Sequence, residues 1–305
     1  MKRPVLIPND REKLRMILKT SGVSRSTLAR KLEVSYKTVY RWLEKGICLH
    51  PAQGRDINEL FKETVDLRAL LGGLRKKRPS AVKWIQSDAR RLESFFVEMT
   101  YHSNAIEGSR MTVKETAKVF AGKTIRGREL FEILEVVNHK NALTFLMDKT
   151  RPGFKIDEAF VLKLHEMTLR DFPDKRPGRY RTGAVNLTHS DKALPSYQDV
   201  PFRMKRWLGV VNRYGKDPIG KIAIDHYEFE AIHPFFDGNG SVGRLLMLAQ
   251  FLSQGFAPAF LRVDNRYSYY MALSRADHGD THNLIQMTAM SVLEGYEWLE
   301  RAFSG

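Results

Sequence analysis

Apolar residues recur at i, i+3 and i+4 along most of this 305-residue chain, and stretches with strand-like alternation are few. That spacing lines up one face of a helix every turn, so the chain is expected to be mainly α. One long segment breaks the pattern, PGRYRTGAVNLTHSDKALPSYQDVP at 177–201. Its Pro, Gly and Ser residues and the short alternating run YRTGAVNL predict a β-hairpin flap between helices. Three zones follow: a compact helical unit within 1–46, a connector over 47–80, and a larger helical domain over 81–305.

Charge is spread unevenly over these zones. The net charge is +15, but residues 1–90 carry 21 Lys and Arg against 9 Asp and Glu, and the remainder 29 against 26. A basic excess at one end points to a polyanion, and DNA is the expected partner there. No apolar run is long enough to span a membrane, so no membrane partner is expected. The start turns charged too early for a secretory signal. The single cysteine, Cys48, rules out an intrachain disulfide and a cysteine-rich metal knuckle. These features predict a cytoplasmic protein.

Residues 24–46, SRSTLARKLEVSYKTVYRWLEKG, read as a helix-turn-helix. Leu28, Ala29 and Leu32 form the inner face of a first helix. Glu33 and Val34 make the turn, Ser35 caps a second helix, and Val39, Trp42 and Leu43 face inward. Tyr36, Lys37, Tyr40 and Arg41 are left on the outer face, where they would meet the major groove. The pattern resembles the phage-repressor type, except that Glu33 stands where glycine is usual because the turn favours a left-handed backbone. A lone unit of this type binds weakly, so a homodimer is expected.

The segment HPFFDGNGSVGR at 233–244 precedes a helical stretch, LLMLAQFLSQGF, that Gly255 would stop. Its glycines therefore fall at a helix N-terminus, where free N–H groups suit a phosphate. His233 can take a proton near neutral pH. Asp237 offers a hard oxygen to a magnesium ion carrying phosphates. Gly238, Asn239 and Gly240 let the backbone approach an anion, and Arg244 lies one turn into the helix on the same side. Taken singly, a histidine is usually a packing residue and Asp-Gly or Asn-Gly a turn. Together within twelve residues they are the parts needed to move a phosphoryl or nucleotidyl group onto a hydroxyl.

This segment resembles the signature of Fic-domain proteins, histidine–x–Phe–x–acid–Gly–Asn–Gly–Arg–x–x–Arg, over about residues 81–305. The resemblance implies a small helical core that transfers AMP from ATP, with Mg2+, to a Ser, Thr or Tyr hydroxyl of a target protein. His233 would be the base and Asp237 the metal ligand. Gly238, Asn239 and Gly240 would bind the α- and β-phosphates, and Arg244 would grip the terminal phosphate. Ser241 replaces the first arginine of the signature and brings no charge.

SNAIEGS at 103–109 matches a second family motif, Ser/Thr–x–x–x–Glu–Gly/Asn, which begins here at Ser103 and in the family lies on an inhibitory helix. There Glu107 would pair with Arg244 and block productive ATP binding. The segments VFAGKTIRG and EVVNHKNAL that follow are also family-like. By the same resemblance Val185, Asn186, Leu187 and Thr188 on the flap, and Tyr269, Tyr270 and Asp277 near the C-terminus, would line the nucleotide pocket. His139 and His165 read as structural. The leading expectation is an autoinhibited protein adenylyltransferase with a DNA-binding head. Two alternatives stay open: removal of AMP using Glu107, and a DNA-binding regulator whose Fic-like domain is degenerate and only binds nucleotide.

Overall fold

The computed structural model describes residues 8–77, 80–186 and 193–304. The chain divides into two compact units, Met1–Leu74 and Arg75–Gly305. Among the described residues there are helices and no strand.

The first unit holds α1 (Asp10–Ser21), α2 (Arg25–Lys31), α3 (Tyr36–Tyr40) and α4 (Pro51–Thr64). Side-chain caps set the starts. Asn9 and Glu12 form a reciprocal box on α1, and the Ser24 and Ser35 hydroxyls accept N–H bonds at the starts of α2 and α3. Between α2 and α3, Glu33 adopts φ +52°. The left-handed turn that favours glycine is thus made here by a glutamate. A π-helical turn, Arg41–Lys45, continues α3 and places Trp42 and Leu43 inside. Leu14, Ile17, Leu28, Val39, Leu43 and Phe61 are at most 1% exposed. At about 1.5–3 kcal/mol per buried side chain, that core accounts for the head's cohesion. The stretch read from sequence as a connector contains α4, which packs along α1; Lys13 Nζ donates to Asn58 Oδ1 across that contact at 2.8 Å.

After α5 (Leu67–Lys77) the second unit runs through α6 (Ala81–Gln86), α7 (Ala89–Ile106), α8 (Val113–Phe120), α9 (Leu130–Lys149) and α10 (Glu158–Thr168). It continues with α11 (Val200–Leu208), α12 (Pro218–Ile232), α13 (Asn239–Ser253), α14 (Arg266–Asp277) and α15 (His282–Ser304). Its centre is α13, buried along almost its whole length and packed against α7, α9, α10 and α12. A largely apolar helix of this kind is stable only when surrounded in this way. The buried Asp225 carboxylate ties α12 to α13 by accepting from Gln250 Nε2 at 2.8 Å while pairing with Lys221.

The predicted hairpin is corrected in part. Neither 177–186 nor 193–199 forms a strand, and the tip, 187–192, lies outside the described residues. One side chain joins the two arms. Arg181 donates to the Gly183 carbonyl at 3.1 Å on one arm and to the Pro195 carbonyl at 2.6 Å on the other.

Candidate active site

The site forms where α12 ends and α13 begins. His233 terminates α12 in a left-handed conformation, φ +49°. That reversal turns its side chain into a cleft of about 520 Å³. Its Nδ1 lies 3.3 Å from the Glu230 carbonyl oxygen. A carbonyl only accepts, so Nδ1 carries the proton and Nε2 keeps the lone pair a base needs. Burial lowers the imidazole pKa to about 4, and the Arg181 guanidinium adds to the shift. Arg181 also donates to the His233 carbonyl at 2.8 Å, so one buried cation fixes the base and both arms of the flap.

The loop after His233 is held from below. Phe235 is fully buried and stacks on His165, ring centroids 3.7 Å apart. His165 accepts from the Gly178 N–H at Nδ1, 2.9 Å, so its Nε2 carries the proton and donates to the Asp237 carbonyl at 3.1 Å. Burial lowers its pKa to about 4 and keeps it neutral. His165 is structural, as read from sequence, yet it positions the acid of the site. Asn239 turns its amide back on Phe235, accepting from its N–H and donating to its carbonyl, each at 2.9 Å. The Asn239 side chain is therefore spent on the turn, and what it can offer an anion is its backbone N–H. Gly238 takes φ +73° at the N-cap, and no side chain caps α13, so its first N–H groups face the cleft.

Two ion pairs lie at this helix end, Arg244 with Glu107 and Lys175 with Asp237. Arg244 is 5% exposed. Its Nε donates to Ser103 Oγ and its Nη2 to the Ser103 carbonyl, both at 3.1 Å, and Nη2 also reaches Ser241 Oγ at 3.3 Å. Its Nη1 lies 2.8 Å from Glu107 Oε1. Burial opposes the Arg244 charge, but Glu107, Tyr269 and Glu230 together more than offset it and raise the pKa. The Glu107 carboxylate sits directly over Gly240; a methyl group added there would overlap it. In the second pair Asp237 Oδ1 accepts from the Gly238 N–H at 2.6 Å, and Oδ2 pairs with Lys175 Nζ at 2.6 Å. No group of three or more His, Cys, Asp or Glu among the described residues could cage a metal. A cation bound at Asp237 would take the rest of its ligands from phosphate oxygens and water, which suits magnesium.

Tyr269 and Tyr270 line the cleft. Tyr269 is buried with its hydroxyl 2.7 Å from His226 Nε2, and the Tyr270 hydroxyl donates to the Ile106 carbonyl at 3.2 Å. Asp277 also lines it and accepts from the Tyr227 hydroxyl at 3.0 Å. Of the flap residues, Asn186 lines the cleft and Val185 beside it does not. Leu187 and Thr188 lie outside the described residues. Sequence reasoning missed Lys175, Arg181, Tyr227 and Glu230. Glu230 has a buried Oε1 with no hydrogen-bond partner, and burial pushes its carboxyl up to about 8. Its place one turn before His233 was the only signal for it.

Fold and site together define a helical domain that can hold a phosphate-bearing ligand on a helix N-terminus between a neutral imidazole and a buried guanidinium. Comparison with known proteins gives this class its family. Residues 155–251 match the Fic/DOC family, and residues 8–45 match the homeodomain-like domain. The chain carries a Fic/DOC domain behind an N-terminal homeodomain-like helix-turn-helix. The protein adenylyltransferase Fic of Nematostella vectensis is 33% identical over 208 residues, 66% of this chain and 48% of that protein. Protein adenylyltransferase fic-1 of Caenorhabditis elegans is 32% identical over 203 residues, 65% of this chain and 39% of that protein. The chain thus spans half or less of the length of these relatives. Among solved structures, a Fic family protein from Desulfovibrio desulfuricans is 25% identical with a TM-score of 0.65, over 79% of this chain and 75% of that one. Fic-1 from C. elegans, 23% identical, shares the fold with a TM-score of 0.66, over 98% of this chain and 90% of that one.

Proposed function

We propose that the protein transfers AMP from ATP to a hydroxyl side chain of a target protein, or of itself, and that Glu107 restrains it. The carrying observation is the Glu107 carboxylate paired with Arg244 above Gly240, in the cleft that also holds His233. A carboxylate there occupies the guanidinium, and the space above Gly240, that a phosphate would need.

With Glu107 withdrawn, the α13 N-terminus would receive the phosphates and Arg244 the terminal one. The target hydroxyl oxygen attacks the α-phosphorus and gives its proton to His233 Nε2. The bond from the α-phosphorus to the bridging oxygen breaks, and pyrophosphate leaves. Asp237 would hold magnesium, which neutralises phosphate charge when bound. Buried Arg181 keeps His233 in place through its carbonyl. Incubation with ATP labelled at the α- or the γ-phosphate tests the reaction. Label from the α position is expected to stay on protein and label from the γ position to be lost with pyrophosphate. Retained γ-label would instead mean phosphoryl transfer and overturn the reading.

For the head, Tyr36, Lys37, Tyr40 and Arg41 are all exposed on the outer side of the second helix of the pair, which favours DNA as its ligand and a homodimer to supply two heads. Replacing Lys37 and Arg41 by alanine is expected to weaken DNA retention and lower the salt slope by about one per lost phosphate contact. Retention and slope unchanged in a salt titration would remove DNA from the proposal.

A further inference from the structure

Lys175 and Arg244, the Lys and Arg side chains that line the cleft among the described residues, each have a carboxylate partner in it. Arg244 pairs with Glu107, and Lys175 with Asp237. Lys175 ends a short 3-10 turn, Pro173–Lys175, closed by the Arg176 N–H donating to the Pro173 carbonyl at 3.1 Å. Its side chain is 31% exposed, lies over the Phe172 ring with Nζ 4.9 Å from the centroid, and lines the cleft.

We propose that Lys175 is the second cation of the polyphosphate site, supplying the charge that Ser241 does not. The inference rests on the adenylyl-transfer reading of this cleft. Ser241 offers one neutral hydroxyl, and that hydroxyl already accepts from Arg244 Nη2 at 3.3 Å. The α13 N-terminus and one guanidinium would otherwise face a triphosphate alone. Lys175 brings a full second charge to the same cleft, beside Asp237, on a four-carbon stem that can swing. Its resting partner is the carboxylate that would serve a metal. One Asp237 oxygen is already bonded to the Gly238 N–H, so the other cannot hold Lys175 and a metal at full strength together. Once Asp237 is engaged by a metal, the ammonium is released toward the phosphates on the adjacent N–H groups, with the cleft-lining Glu135 carboxyl, itself pushed up by burial, as the other acid within its field. The two pairs then act alike: each acid keeps a cation in place while the cleft is empty, and the polyphosphate takes both cations over.

The test is calorimetry on the full chain with Glu107→Gly as parent, in magnesium, using AMP and an ATP analogue with a methylene between its α- and β-phosphorus. Lys175→Met is expected to weaken the triphosphate about tenfold or more. AMP, which lacks the β- and γ-phosphates, should change less than about threefold. Lys175→Arg should keep the affinity, and Ser241→Arg added to Lys175→Met should restore it. Equal triphosphate affinity in parent and Lys175→Met would overturn the inference alone. An equal loss for both ligands would also overturn it, since a merely structural lysine gives that result. A parent that binds neither ligand would sink the nucleotide reading, and this inference with it.

Discussion

Replacing Glu107 by glycine is expected to raise the initial rate of α-label transfer about ten- to a hundredfold, equivalent to roughly 1.4–2.8 kcal/mol. The carboxylate and a phosphate compete for one guanidinium and for the space above Gly240. The site does not need Glu107 to keep its shape. Arg244 is still held by the Ser103 hydroxyl and carbonyl, and the end of α7 is still closed by the Ser109 N–H donating to the Asn104 carbonyl at 3.0 Å. Glu107 is the C-cap residue of α7, outside the helix interior where glycine is most costly, so glycine there costs little helix stability. Its side chain is 46% exposed, which lets it swing aside without a large cavity forming. Glu107→Gln separates charge from bulk: it keeps the obstruction and removes the ion pair, so its rate should fall between wild type and Glu107→Gly. Equal rates for all three proteins would sink the restraint.

Much of this was legible because it is local in sequence. Helical periodicity and the Ser35 cap are short-range signals, and the cap is in place. His233, Asp237, Gly238 and Arg244 lie within one turn-and-helix unit, so their meeting follows from the backbone alone. Glu107 is far away in sequence, and only its resemblance to a known motif brought it to Arg244. What was not legible depends on tertiary approach. Arg181 reads as one basic residue among many, and nothing in YRTG says that it will be buried under His233. Lys175 is likewise one basic residue among many, with no local signal of its approach to Asp237. Alternating residues suggested strands at 177–201, but an arginine bonded to both arms replaces a backbone ladder over the described part. The Asn239 side chain could have faced an anion or its own turn, and the choice was settled by the buried Phe235 backbone, whose polar groups need partners.

Removing the base should have the largest effect, a loss of about a hundred- to ten-thousandfold in transfer within the Glu107→Gly background. The variant must respect the backbone. At φ +49° an alanine is strained by about 1–2 kcal/mol, whereas asparagine visits that region readily. His233→Asn is therefore the cleaner replacement, with its carbonyl still available to Arg181. A nucleotide titration should show unchanged ATP affinity, which assigns the loss to proton transfer. The pH profile identifies the group. His233 is depressed to about 4, so it is neutral and competent from neutral pH down toward that value. The kcat/KM profile of the free enzyme should therefore stay flat to about pH 5.5, where an ordinary imidazole would have lost about tenfold. On the alkaline side Glu230, raised to about 8, ionises beside Arg244, and the added negative charge should weaken phosphate binding. A tenfold fall by pH 5.5 in a protein still folded by near-ultraviolet circular dichroism would mean that His233 is solvated in the working state and that the buried geometry is not the reactive one.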